Sequence, residues 1–186
     1  MRILDHVRKS LTRLSVALLC ALPLWVHAQT QIGLDINGEA AEDRSGYAVA
    51  LSADGSRVAI GAPNNDSNGS YSGHVRIYDW TGSSWVQAGA DIDGYAPGDQ
   101  SGSSVALSAD GSRVAIGAPY NDGNTGNTGD NRGHVRVYDW TGSAWVQVGA
   151  DIDGEAADDF SGGSVALYAD GSRVAIGATE IGRAHV

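Results

Sequence analysis

The stretch LSADGSRVAIGAP at 51–63 returns letter for letter at 107–119, and a third copy, LYADGSRVAIGAT, occupies 167–179 with Tyr168 for Ser and Thr179 for Pro. A segment repeated this closely must do the same structural job each time, so the chain is an array of one unit. Within the copies Val58 and Ile60, Val114 and Ile116, and Val174 and Ile176 alternate with Ala or Gly. That is the period-two pattern of a strand covered on both faces. Asp-Gly precedes each strand at 54–55, 110–111 and 170–171. This dipeptide accepts positive φ and predicts a two-residue hairpin turn.

The repetition continues beyond the hairpin. GHVRIYDWTG at 73–82 and GHVRVYDWTG at 133–142 are followed by WVQAGADIDG at 85–94 and WVQVGADIDG at 145–154. The first unit then reads as strands near 47–53, 57–62, 74–80 and 85–92, the second as strands near 104–109, 113–118, 134–140 and 145–152. TQIGLDING at 30–38 aligns with the end of a unit, which predicts a partial strand over 29–36. Copies lie 56 and 60 residues apart, and the additional residues fall in the loop after Pro119. Units of this size with four strands each predict an all-β fold of β-propeller blades built as antiparallel meanders. The expected division is a blade at 47–92, a blade at 104–152 and a half blade at 164–178, about two and a half repeats of an incomplete ring. A repeated β-sandwich is the structural alternative.

The first 28 residues stand apart. Arg2, Arg8, Lys9 and Arg13 precede an apolar run over 14–26, and Val26-His27-Ala28 ends in the small residues that signal peptidase reads, so 1–28 is expected to be a secretory signal. The run is shorter than the ~20 residues a spanning helix needs. Without the leader, 8 basic residues face 21 acidic ones, and no Lys remains. Such a surface disfavours nucleic acid and anionic lipid, so the partner expected is a protein or a glycan, with neither nucleic acid binding nor membrane insertion of the mature chain. The single Cys, Cys20, lies inside the leader, leaving stability to the core or to bound metal. The segment EIGRAHV at 180–186 abandons the repeat and corresponds to one translation of a common sequencing adapter, so it is expected to be non-native; the open strand edges of an incomplete ring are expected to make the fragment self-associate.

In a meander the turns alternate between the two ends of the sheet, which places the long loops 63–73, 119–133, 91–102 and 151–162 at one end. That end collects the carboxylates, and Asp66, Asp122 and Asp130 are its candidate binding residues. The spacing of Asp91, Asp93 and Asp99, repeated as Asp151, Asp153 and Asp159, reads first as solvated turn carboxylates, with a Ca2+ site the alternative because clustered oxygens suit a hard cation. His74 and His134 recur in register at strand starts, as do Trp80, Trp85, Trp140 and Trp145; they are read as repeat geometry, the tryptophans filling gaps between blades. No nucleophile with a base and an orienting acid stands out, nor a phosphate loop or an HExxH helix. The chain is therefore expected not to be an enzyme.

VALSADGSRVAIGAP followed by GHVRVYDW resembles the FG-GAP repeats of the integrin α-subunit head and its bacterial relatives, which form a seven-bladed propeller. Gly61-Ala62-Pro63 and Gly117-Ala118-Pro119 match the second half of the signature. At the first half Ser45-Gly46, Ser101-Gly102 and Ser161-Gly162 replace Phe-Gly. The resemblance implies a secreted or cell-surface binding or adhesion module. It also implies a calcium loop of DxDxDG type between the first two strands of a blade, where this chain has only Ala-Asp-Gly-Ser. The alternatives are a propeller scaffold or accessory domain of an extracellular hydrolase or lyase, and a WD-repeat-like interaction scaffold.

Overall fold

The computed structural model describes residues 30–123, 129–179 and 183–185. The chain divides into two units, Met1–Gln31 and Ile32–Val186; the sheets belong to the second. The segment 1–28, expected to be a secretory signal, lies outside the described residues, as do 124–128 of the longest loop.

The first sheet runs β1 (Ala48–Leu51), β2 (Arg57–Ala62), β3 (His74–Trp80), β4 (Trp85–Gln87), with β5 (Ile92–Asp93) returning to pair with β3. The second repeats it with β6 (Ser104–Leu107), β7 (Arg113–Ala118), β8 (His134–Trp140), β9 (Trp145–Gln147) and β10 (Ile152–Asp153). All strand pairs are antiparallel, and the registers coincide: Gly61 faces Val75 as Gly117 faces Val135. The third sheet holds β11 (Ser164–Leu167), β12 (Val174–Ala178) and β13 (Arg183–His185). The expected all-β architecture of propeller blades is thus present, with no α-helix among the described residues.

Four details differ from the reading of the sequence. The Asp-Gly hairpin is not a two-residue turn. Ser52 N donates to Arg57 O and Gly55 N donates to Ser52 O, so four residues, 53–56, close the hairpin. Only Gly55 takes a positive φ, +71°. Asp54 contributes its side chain instead: its carboxylate accepts from Ser52 Oγ, Ser56 N and Ser56 Oγ, and these bonds hold its pKa at about 2. The outer strand expected over 85–92 is split, because Gly89 turns the chain at φ +82°, as Gly149 does at +75° in the second blade; a Cβ at Gly89 would also meet Trp140 of the next blade. Residues 30–36 form no strand. The equivalent segment 92–93 is held by β3 of its own blade, and 30–36 follows no such strand among the described residues. Finally, β13 pairs with β12, so the third sheet takes up part of the 180–186 segment and is not limited to 164–178.

Packing between blades relies on small residues at the centre and aromatics at the edge. A Cβ on Gly61 would enter the carbonyl of Gly102, and one on Gly117 the carbonyl of Gly162. The two halves of the motif therefore meet across neighbouring blades: Gly102 donates its N–H to Gly117 O in its own blade while its backbone lies against Gly61 of the blade before. The inner hairpins are joined at their loops by Ala53 N to Ala109 O at 2.8 Å and Ala109 N to Ala169 O at 2.7 Å. Around these contacts Val75, Ile77, Val105, Val114, Ile116 and Tyr138 form one continuous core between the first and second sheets. Burying each such side chain contributes roughly 1.5–3 kcal/mol.

Further out, Trp140 and Trp145 pack with ring centroids 5.2 Å apart, and Arg57 of the first sheet lies 5.2 Å above the Trp140 ring. Trp145 Nε1 donates to Ala88 O across the same boundary. The tryptophans thus seal the junction between blades.

Candidate functional site

The long loops do lie together at one end. Asn68 Nδ2 donates to Gly94 O, Gly98 N to Ser70 O and Gln100 N to Tyr71 O. The second blade repeats the pattern with Asp158 N to Asp130 O and Arg132 Nη1 to Glu155 O. The candidate binding residues turn out to hold these loops in shape. Asp66 Oδ1 accepts from Tyr71 N, Asp122 Oδ1 from Asn131 N, and Asp130 pairs with Arg132 at 3.3 Å. Exposed beside them are Tyr71, Tyr95 and Tyr120.

The candidate metal residues separate into two groups. Asp99 and Asp159 are buried away from the others. Asp99 Oδ2 accepts from Ala96 N and from Asn121 Nδ2, as Asp43 Oδ2 does from Ala40 N and Asn65 Nδ2; Asp159 Oδ2 accepts from Ala156 N. Asp43 and Asp99 thereby tie their inter-blade loops to the loop after the Gly-Ala-Pro motif, and neither Asp99 nor Asp159 groups with Asp91 and Asp93 or Asp151 and Asp153. Burial raises the pKa of Asp99 against the opposing bond from Asn121. Asn121→Ala leaves that carboxylate buried with one donor fewer, at a cost of about 2 kcal/mol. A group whose folded pKa is raised stabilises the fold at low pH and loses that contribution as pH rises through the folded value. Losing Asn121 raises it further, so urea denaturation of Asn121→Ala should show a larger deficit at pH 7 than at pH 4.

Asp91 and Asp93 meet a histidine instead. The register of β3 and β5 sets His74 opposite Asp93. The His74 side chain is 1 % exposed, and its Nδ1 lies 3.6 Å from Asp91 Oδ2 and 3.8 Å from Glu39 Oε2. Those separations exceed a hydrogen bond, and His74 Nδ1 has no hydrogen-bond partner. Gln87 Nε2 holds Asp91 Oδ1 at 2.5 Å, while Arg76 Nη1 stands 3.6 Å from Glu39 Oε1. Burial keeps the His74 pKa below its ordinary value despite the nearby carboxylates, and burial with Asp91 beside it raises that of Asp93. An open cleft of about 250 Å³, lined by Asp91, Asp93, Tyr138 and Trp145 among others, adjoins the cluster.

The second blade has the same frame with different contents. His134 Nδ1 lies 3.6 Å from Asp151 Oδ2, but Arg136 Nε donates to His134 Nε2 at 3.1 Å and itself stands 3.9 Å from Asp151. Tyr95 occupies the repeat position of Glu39 and covers Arg136, whose guanidinium sits 5.6 Å from the ring centroid. Burial and Arg136 lower the His134 pKa to about 4. His74 and His134 did not stand out as candidates because recurrence in register reads as scaffold, and Glu39 did not because its position is not kept in the next copy, where Tyr95 stands. The signal available was the repeated pairing of GHVR with DID.

The family-implied calcium loop does not fit. Asp54 and Asp110 are single carboxylates already engaged by neighbouring serines, whereas calcium takes six to eight oxygens.

Comparison with known proteins agrees with this architecture. The model of the FG-GAP repeat family matches residues 37–78, a span that runs from the inter-blade loop through Ser45-Gly46 and Gly61-Ala62-Pro63 to Tyr78. A search of curated proteins finds no match. Among solved structures, hydrazine synthase of Kuenenia stuttgartiensis is similar, at 12% identity over 76% of this chain and 32% of that one, with a TM-score of 0.42. Residues 37–78 accordingly match the FG-GAP repeat, and the antiparallel meanders of the chain are consistent with incomplete propeller blades.

Proposed function

We propose that the protein is a secreted or cell-surface binding module that engages a protein or glycan through its long-loop face. The observation that carries this reading is the gathering of exposed Tyr71, Tyr95 and Tyr120 with exposed Asp66 on loops braced against one another. Tyrosine supplies contact area with little rotamer entropy and is enriched at interfaces. Surrounding carboxylates steer a cationic partner and reject anionic ones. Loops held by a stiff sheet are where binding residues concentrate.

The test is a binding screen of the full chain against immobilised Arg/Lys-rich peptides and chitosan oligosaccharides. Binding should weaken as salt rises and fall at least tenfold in Tyr95→Ala, whose side chain is 74% exposed. Absence of binding to both panels, or binding indifferent to salt and to Tyr95→Ala, overturns the reading. Export is checked separately by N-terminal sequencing of the secreted material, with Gln29 expected first.

A further inference from the structure

We propose that Glu39, His74 and Asp91 form a binding site for a divalent transition-metal cation, with zinc the representative ion, that clips the loop entering the first blade to the outer part of that blade. The ligand atoms of these residues all lie within 4.8 Å of one another. They come from three separate places: the loop before β1, the start of β3 and the turn before β5.

Three observations converge. The first is the orphaned nitrogen. His74 Nδ1 is buried, has no hydrogen-bond partner and points between two carboxylate oxygens at 3.6 and 3.8 Å. Ligands about 2.0–2.1 Å from a tetrahedral ion are ~3.4 Å apart, so the two separations from the imidazole need to close by only a few tenths of an ångström, while the carboxylate oxygens, within 4.8 Å of one another, draw together around the ion. The second is charge. Among the described residues, Glu39, Asp91 and the adjacent Asp93 oppose one cation around His74, Arg76, leaving an excess that a divalent ion neutralises. The third is orientation and access. Gln87 holds the outer oxygen of Asp91, and Arg76 faces the outer oxygen of Glu39, so the inner oxygens face the imidazole. The cleft lined by Asp91 and Asp93 opens on the Asp91 side of the cluster.

The donor set selects the ion. One imidazole nitrogen with carboxylate oxygens suits zinc and its neighbours, whereas calcium prefers oxygen alone and more of it. The second blade supplies an internal contrast. There Arg136 donates to His134 Nε2, lies close to Asp151, and Tyr95 replaces Glu39. His134, Asp151 and Asp153 also cluster, but the guanidinium occupies the place where a cation would bring charge balance. The site is therefore assigned to the first blade alone.

The experiment is isothermal titration of the untagged full chain with zinc chloride, repeated with calcium chloride. One saturable zinc site with Kd below about 100 µM is expected, together with calcium binding at least tenfold weaker. Glu39→Gln, at a side chain 43% exposed, should leave circular dichroism unchanged and weaken zinc at least tenfold. Asp151→Asn should leave zinc affinity within twofold. His74→Ala removes a buried group and risks the fold, so the direct readout at His74 is the nitrogen chemical shift of its Nδ1 in wild-type protein, which should move on zinc addition while those of His134 stay. No saturable zinc binding, equal affinity for calcium, an unaltered affinity in Glu39→Gln, or an unmoved His74 Nδ1 would overturn the assignment.

Discussion

Gly61→Ala is expected to destabilise the protein by about 3 kcal/mol or more, although it adds one methyl group. Gly61 lies inside β2, paired with Ala48 on one side and Val75 on the other, at a φ any residue adopts. The new Cβ would occupy the position of the Gly102 carbonyl oxygen. Neither neighbour can yield, since Gly102 N is bonded to Gly117 O and the Gly102 backbone also lies against His74 O. Relief requires the two blades to separate, and separation opens the core that they share. Gly55→Ala is the control. It sits at φ +71° with nothing within 4 Å of the added carbon, so it costs only the backbone term of about 1 kcal/mol. Denaturant unfolding of both variants separates the ideas, since equal losses would mean that the blades do not depend on contact at this point.

The second large effect is expected from Arg57→Ala, at about 2–3 kcal/mol. The guanidinium forms a fork with Asp79, through Nε at 2.5 Å and Nη2 at 2.8 Å. Its Nη1 donates to Gly111 O in the hairpin loop of the next blade, and its carbon lies 5.2 and 5.4 Å from the rings of Trp140 and Trp145. One side chain thus links a strand to its neighbour and one blade to the next. Truncation strands Asp79, frees a carbonyl and uncovers the tryptophans. Arg57→Lys should recover less than half of the loss, because an ammonium cannot reproduce a planar fork stacked on an indole. Arg113 repeats the fork with Asp139 and the bond to Gly171 O, yet is 29% exposed where Arg57 is 12%, so Arg113→Ala should cost less. A double-mutant cycle between Arg57→Ala and Trp145→Ala should show coupling of about 1 kcal/mol; strictly additive losses would remove the cross-blade part of the argument.

Much of this framework was legible beforehand. The bounds of β2, β3, β7 and β8 coincide with the expected ones because alternation and flanking turn residues are local signals. The split of the outer strand was not legible. It falls at a glycine that takes positive φ in both blades, Gly89 at +82° and Gly149 at +75°, and one glycine in an alternating run does not announce which φ it adopts. The candidate site was half legible: Asp91 and Asp93 stood out by spacing, but their grouping with Asp99 was misleading. Asp99 is drawn to Asn121 in its own blade, while Asp91 is drawn to His74 across a strand pair, and sequence spacing holds no information about which way a loop carboxylate turns.

The sequence by itself determined the unit: which residues extend, where hairpins turn, and that the unit recurs. What tertiary structure decided is the environment each copy experiences. Val49 and Val105 hold the same place in identical SADGSRVAIGA-bearing units, yet Val49 is 64% exposed and Val105 9%, because β6 has β1 on one side and β11 on the other. Likewise GHVR is the same at 73–76 and 133–136, but the residue laid over it from the preceding loop is Glu39 in one case and Tyr95 in the other. Backbone conformation follows from nearest neighbours in the chain, whereas burial and charge depend on what a segment some 56 residues away brings alongside. That is why one repeat can frame two different sites.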